Sequence, residues 1–255
     1  MPPFLIQALV NSKRFVDLVM IDLNNKVVLI TGATGALGQA TAHIFSHANT
    51  KLVLTGRNLN KLNLLSDQLF ECTNVFKDCD LCDEEEVHHL VQFAFDQFGR
   101  IDVLLNIAGG FAMGPKVHEL KHEDFNIMFE MNFSSTLNTC KAVIPHMINQ
   151  GEGRIINISA RAATEGKGKM APYCIAKSAV VTLTESLAAE HKHNNININC
   201  ILPGTINTES NRTDMPDADH SMWVAPEDIA NSMLYLSSNL SNAINGAIIP
   251  VYGKS

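Results

Sequence analysis

No stretch of this 255-residue chain comes near the about 18 consecutive apolar residues that a membrane-spanning helix requires. Positive charge is scarce as well: 19 Lys and Arg stand against 26 Asp and Glu, a formal net charge of −7. A phosphate backbone needs a basic face, so nucleic acid is not expected as a partner. Six cysteines, at 72, 79, 82, 140, 174 and 200, are too few for a disulfide framework and lie mostly in apolar segments. This usage predicts a reduced, cytoplasmic protein. Cys79 and Cys82 form a CxxC followed by His88 and His89, but no second ligand pair stands at matching spacing, and no metal is expected. Aromatic residues make up only 6% of the chain. Linkers rich in proline, glycine or serine, internal repeats and low-complexity tracts are all missing, which argues for one domain over residues 20–255.

Residues 1–19, before Met20, are read as an N-terminal extension. Lys13 and Arg14 follow the apolar FLIQALV instead of preceding it, the wrong order for a secretory signal. The alternative is a short amphipathic helix that docks on the body or on a partner.

What is present is alternation. Unbroken Val/Ile/Leu runs at Val27–Thr31, Leu52–Thr55, Val103–Asn106, Ile155–Ser159, Ile196–Leu202 and Ala247–Val251 read as strands buried on both faces, with a weaker one at Asn74–Lys77. Helical patterns lie between them. Val87, Leu90, Val91, Ala94, Phe95 and Phe98 share one face of a helix that opens on acids and stops at Gly99. Leu62, Leu65 and Leu69 follow Asn58, a good N-cap. The pattern predicts an α/β fold, a doubly wound (Rossmann) parallel sheet of about seven strands with helices on both faces.

Two local motifs carry chemistry. In Thr31-Gly32-Ala33-Thr34-Gly35-Ala36-Leu37-Gly38 a buried strand runs through glycines into a helix. Backbone N–H groups there can approach a pyrophosphate, whose charge a helix N-terminus favours. Tyr173 and Lys177 stand four apart on a later apolar helix and so share a face. An ammonium that close is expected to lower the tyrosine pKa toward working pH.

With both motifs in this order, the chain resembles the short-chain dehydrogenase/reductase family over nearly all of residues 20–255. The resemblance implies a nicotinamide dinucleotide held by Thr31, Gly32, Thr34, Gly35, Ala36, Leu37 and Gly38, although the usual middle glycine is Ala36 here. It implies that Asp80, with Leu81, meets the adenine, and that Asn106, Ala108 and Gly109 steady the pocket. Tyr173 matches the general acid/base, Lys177 the residue binding the nicotinamide ribose, and Asn132 the asparagine that holds a water of the proton relay. Pro203, Gly204, Ile206 and Thr208 match the segment contacting the carboxamide. A small-molecule substrate and a homodimer or homotetramer are also implied.

Thirteen positions before Tyr173, where the family keeps a catalytic serine, stands Ala160, with Ser159 beside it. Adjacent strand side chains point to opposite faces, so Ser159 is not expected to substitute without a bulge. The dihydropteridine reductase branch also carries an alanine there and reduces a quinonoid ring. Further resemblance to that branch lies in Ala108-Gly109-Gly110-Phe111, in the tract from Arg161 to Met170, and in Thr208 to Trp223. This last stretch, within a substrate loop near 205–224, includes Asn211, Arg212 and Trp223. Expected activities are reduction of a carbonyl or conjugated C=N, dihydropteridine-reductase-like reduction, or cofactor binding without catalysis. The second strand ends at Arg57 with no acid near it, which favours NADP(H) over NAD(H).

Overall fold

The computed structural model describes residue 21, residues 23–69 and residues 72–254. The N-terminal extension read from the sequence lies outside them. Seven strands, β1 (Val27–Ile30), β2 (Lys51–Gly56), β3 (Asn74–Asp78), β4 (Val103–Asn106), β5 (Gly153–Ile158), β6 (Ile196–Pro203) and β7 (Ile248–Val251), form one sheet. Their order is β3-β2-β1-β4-β5-β6-β7 and every pairing is parallel. The expected doubly wound fold is therefore present. Strand β5 starts two residues earlier than its Ile run, because Gly153 and Arg154 pair with Ile196 and Asn197.

The unbroken apolar runs exist because both faces of the sheet are covered. Val28 and Ile30 pack with Phe45, Leu62 and Met233 on one side. Val27 and Leu29 pack with Leu90, Val143 and Met147 on the other. The covering helices are α1 (Ala36–Ser46), α2 (Leu59–Gln68), α3 (Glu84–Phe98), α4 (His122–Phe129), α5 (Ser135–Gln150), α6 (Ala171–His191), the short α7 (Glu209–Asp214) and α8 (Pro226–Ser237). Local signals set their ends. The Asn58 side chain accepts from the Lys61 N–H at α2, and Gly99 closes α3 in the left-handed region at φ 73°. Helices α4 and α5 run on through a π-helical turn, Glu130–Ser134, which carries Asn132.

The strand order reverses between β1 and β4, and crevices outside the carboxyl ends of strands open at such points. Here the two strand ends are tied by Thr31. Its hydroxyl donates to the Leu105 carbonyl (3.2 Å) and accepts from the Ile107 and Ala108 N–H groups (3.0 and 3.1 Å). Gly32, at φ +63°, is pressed so close to Ala108 that a Cβ would sit 2.8 Å from its Cα.

Thr31→Val keeps the side-chain shape but strands two loop amides. We expect a loss of about 2 kcal/mol in denaturant melts, little of it in Thr31→Ser.

Candidate active site

A cavity of about 970 Å³ opens over the carboxyl ends of the strands, at the upper end of the roughly 300–1,000 Å³ typical of ligand sites. Its floor is the turn from β1 into α1. Gly32, Thr34, Gly35, Leu37 and Gly38 line it, as do Arg57 at the end of β2, Asp80 and Leu81 after β3, and Ala108 and Gly109 after β4. The residue preceding α1, Gly35, makes no side-chain cap, and no acid stands in that helix's first turn. The N–H groups of that turn meet no side-chain acceptor there, which fits the pyrophosphate of a dinucleotide. Asp80 caps its own loop, accepting from the Cys82 N–H at 3.0 Å.

Not every residue expected at the cofactor faces the cavity. Thr31 points into the clasp between β1 and β4. Ala36 does not reach the wall. Asn106 lies behind it, donating to Asn157 Oδ1 (2.9 Å) and accepting from the Thr139 hydroxyl (2.7 Å). Thr208 accepts from the Asn211 N–H and so caps α7. These four support the site from outside its surface. Pro203, Gly204 and Ile206 do line it.

The opposite wall belongs to α6. Tyr173 and Lys177 both line the cavity, one turn apart, with Lys177 Nζ 6.0 Å from the centre of the Tyr173 ring. Lys177 is held by a double clasp with the end of β5. Its Nζ donates to the Ile158 carbonyl (3.0 Å), and its own carbonyl accepts from the Ser159 hydroxyl (2.7 Å). The Ser159 oxygen is thus turned to the helix backbone, and its neighbour Ala160, in extended conformation, packs with Ala162, Cys174 and Tyr173. No bulge brings the serine round.

The side chain of Asn132 is wholly buried in the π-turn. Its Oδ1 accepts from the Gly110 N–H (3.1 Å), and its Nδ2 donates to the carbonyls of Gly110 (2.9 Å) and Met128 (3.0 Å). Asn132 and Lys177 meet at Gly109, where a Cβ would lie 2.7 Å from Asn132 Oδ1 and 3.2 Å from Lys177 Nζ. Only glycine allows that approach.

The electrostatics differ from the sequence expectation. Burial pushes the Tyr173 phenol up to about 12 and pulls the Lys177 ammonium down to about 8. Helical spacing made the two neighbours, but desolvation governs the phenol and raises it. Tyr173 is therefore held protonated through the neutral range.

The segment after β6 is pinched at its base. Ile206 bridges Val224, and Asn207 N–H and Val224 N–H donate to the carbonyls of Val224 (2.8 Å) and Thr205 (3.0 Å). From the loop so closed, Asn211 and Met215 reach the cavity. Arg212 bonds Asn207 Oδ1 at 2.6 Å, and Trp223 packs on His220 with ring centres 4.4 Å apart; neither reaches the wall. The wall also holds residues that the sequence reading did not place there: Phe111 and Met113 after β4, Ile127 and Met131 near the π-turn, and Arg161 and Met170 before α6. Phe111 and the tract from Arg161 to Met170 were singled out in the sequence only as resemblance to the dihydropteridine reductase branch; Met113, Ile127 and Met131 carried no signal.

Burial raises the Cys79 thiol to about 12 and that of Cys82 to about 11. Among the described residues no cluster of three or more His, Cys, Asp or Glu could hold a metal. None of the helices there is long and apolar enough to cross a membrane.

A parallel doubly wound sheet, a glycine turn at its switch point and a Tyr–Lys pair facing that turn define a dinucleotide-dependent oxidoreductase. The family model for short chain dehydrogenases matches residues 26–219, and the chain belongs to that family. It is 31% identical over 213 residues to an uncharacterized oxidoreductase of Staphylococcus aureus (strain MRSA252), covering 84% of this chain and 91% of that protein. It is also 31% identical over 242 residues to BbsD, a hydroxy(phenyl)methyl-succinyl-CoA dehydrogenase subunit of Thauera aromatica, covering 91% and 96%. A short-chain dehydrogenase/reductase structure from Burkholderia xenovorans is similar at a TM-score of 0.85 and 25% identity, over 91% of this chain and 96% of that one.

A buried ammonium without a carboxylate should cost stability. Between about 8 and the ordinary 10.5 the unfolded chain keeps a proton that folded Lys177 has released. Stability therefore rises with pH across that window. Lys177→Met should stabilise the fold at pH 7 by about 1–3 kcal/mol. In thermal melts its advantage over the wild type should shrink as pH is raised to 9.5.

Proposed function

We propose that the protein is an NADPH-dependent reductase of a small molecule in which a carbonyl or C=N is conjugated to an electron sink. The observation that carries this reading is the pairing of a complete Tyr173–Lys177–Asn132 set with Ala160 in the wall and the Ser159 hydroxyl engaged by the Lys177 carbonyl. One donor to a developing oxyanion is missing, and such a donor typically contributes about 10²–10³ in rate. A substrate that spreads its developing charge needs that donor least. The quinonoid ring reduced by the dihydropteridine reductase branch is a substrate of this kind.

The nicotinamide supplies a hydride when bound. Tyr173 Oη gives its proton to the oxygen or nitrogen of the reduced bond. Lys177, charged at neutral pH, stabilises the phenolate left behind and holds the ribose side of the site. Asn132 keeps the 109–110 backbone against Lys177 and, through water, returns a proton from solvent. Arg57 would bind a 2′-phosphate with its planar fork, and the β2 segment Lys51–Arg57 carries no acid of its own to repel one.

Absorbance at the nicotinamide band, followed over a panel of quinonoid pterins, quinones, diketones and simple ketones, tests the reading. NADPH should be consumed with the conjugated substrates, and Tyr173→Phe should lose at least 10³-fold in kcat. Ala160→Ser should raise turnover of simple ketones tenfold or more. A protein that binds NADPH but oxidises none of it with any of these compounds is a sensor, and the proposal then fails.

For the cofactor, Arg57→Ala should lower the ratio of kcat/KM for NADPH to that for NADH at least tenfold. An unchanged ratio would assign the arginine to solvent alone.

A further inference from the structure

The far end of the cavity, beyond Tyr173, has its own chemistry. Phe111 stands edge-on to Tyr173, with ring centres 5.1 Å apart and planes at 76°. Phe111 is 52% exposed, Met113 62% and Met215 41%, and all line the same cavity, as does Met170, which packs with Ala160, Ala162 and Cys174. Large apolar side chains left open around a cleft mark a surface that something apolar covers. Thioethers suit the faces and edges of flat rings, adapting to shape through their free torsions.

Charge at this end has one sign. The cavity's acids, Asp80 and Glu130, both lie beside Cys82, close to Arg57. Lys167 is paired with Glu165 at 3.4 Å, and Lys177 is spent on Ile158. Arg161 remains. It follows Ala160 directly, opens the short helical turn Arg161–Ala163 and is one of the cavity's lining residues. Its guanidinium carbon lies 5.2 Å from the ring centre of Tyr252, which stands outside that lining. Among the described residues no carboxylate pairs with it. A guanidinium stays charged at any working pH and matches a carboxylate with two parallel N–H donors.

We infer that the substrate is a flat aromatic or conjugated compound carrying a carboxylate, its ring seated among Phe111, Met113 and Met215 and its anion on Arg161. This deepens the reductase reading by naming the substrate class of the same site. A ring so held lies against the Tyr173 hydroxyl, while the anion fixes which edge of the ring meets the donor. The cation is best placed to select: on a protein of net charge −7 it is a local attraction and not part of a general field.

Two measurements on the full-length protein test it. In NADPH-coupled assays a neutral aryl 1,2-diketone, its ring-carboxylated counterpart and butanedione are compared. The carboxylated compound should show a KM at least tenfold below the neutral aryl one. Arg161→Leu should bring that ratio to near one, and Arg161→Lys should restore part of it. A structural role for Arg161 would shift both KM values together and leave the ratio alone. In parallel, calorimetry with 2-naphthoate in the presence of NADP should show binding that weakens at least tenfold in Arg161→Leu and in Phe111→Ala. Naphthoate that does not bind, or binds the Leu variant equally well, overturns the inference. So does turnover of all three diketones with equal KM for the two aryl compounds. If no diketone oxidises NADPH while naphthoate still binds through Arg161, the reductase reading falls and this ligand class stands.

Discussion

The site depends on one unfavourable act, the burial of the Lys177 ammonium with no carboxylate to meet it. Its position is enforced from both sides by the end of β5, where the Ile158 carbonyl accepts a hydrogen bond from the lysine Nζ and the Ser159 hydroxyl donates to the lysine's own carbonyl. That exchange fixes α6 against the sheet, and with it Tyr173. It also engages the hydroxyl that stands next to Ala160. The geometry that secures the lysine and the gap at Ala160 are therefore two sides of the same arrangement.

The fold was largely legible because its strands are buried on both faces and leave unbroken aliphatic runs. Strand β3 was fainter for a physical reason: it is the edge of the sheet, and Asn74, Lys77 and Asp78 interrupt the apolar character. Local caps were readable at Asn58 and Gly99. The parts of the site carried by one short segment, the glycine turn and the Tyr173–Lys177 pair, were readable too, since spacing alone brings their residues together.

What spacing could not reveal was direction and solvation. Thr31, Asn106 and Thr208 sit in segments that line the cavity, yet their side chains turn into clasps and caps behind it. The Tyr173–Lys177 distance suggested a lowered phenol, whereas burial at the base of the cleft raises it. Phe111, Met170 and Met215 lie in stretches that resemblance had singled out, but which of their residues meet the cavity was not legible, and Ile127 looks like core until the fold turns it outward.

The bridge between Ile206 and Val224 has an evolutionary consequence. It ties off the intervening residues at their root, and within the loop it is Met222 that still meets the chain just after β7, accepting from the Lys254 N–H. Such a segment can vary while the sheet and α6 stay intact, so the part of the cavity wall that Asn211 and Met215 supply can be remodelled apart from the part that Tyr173 and Lys177 supply.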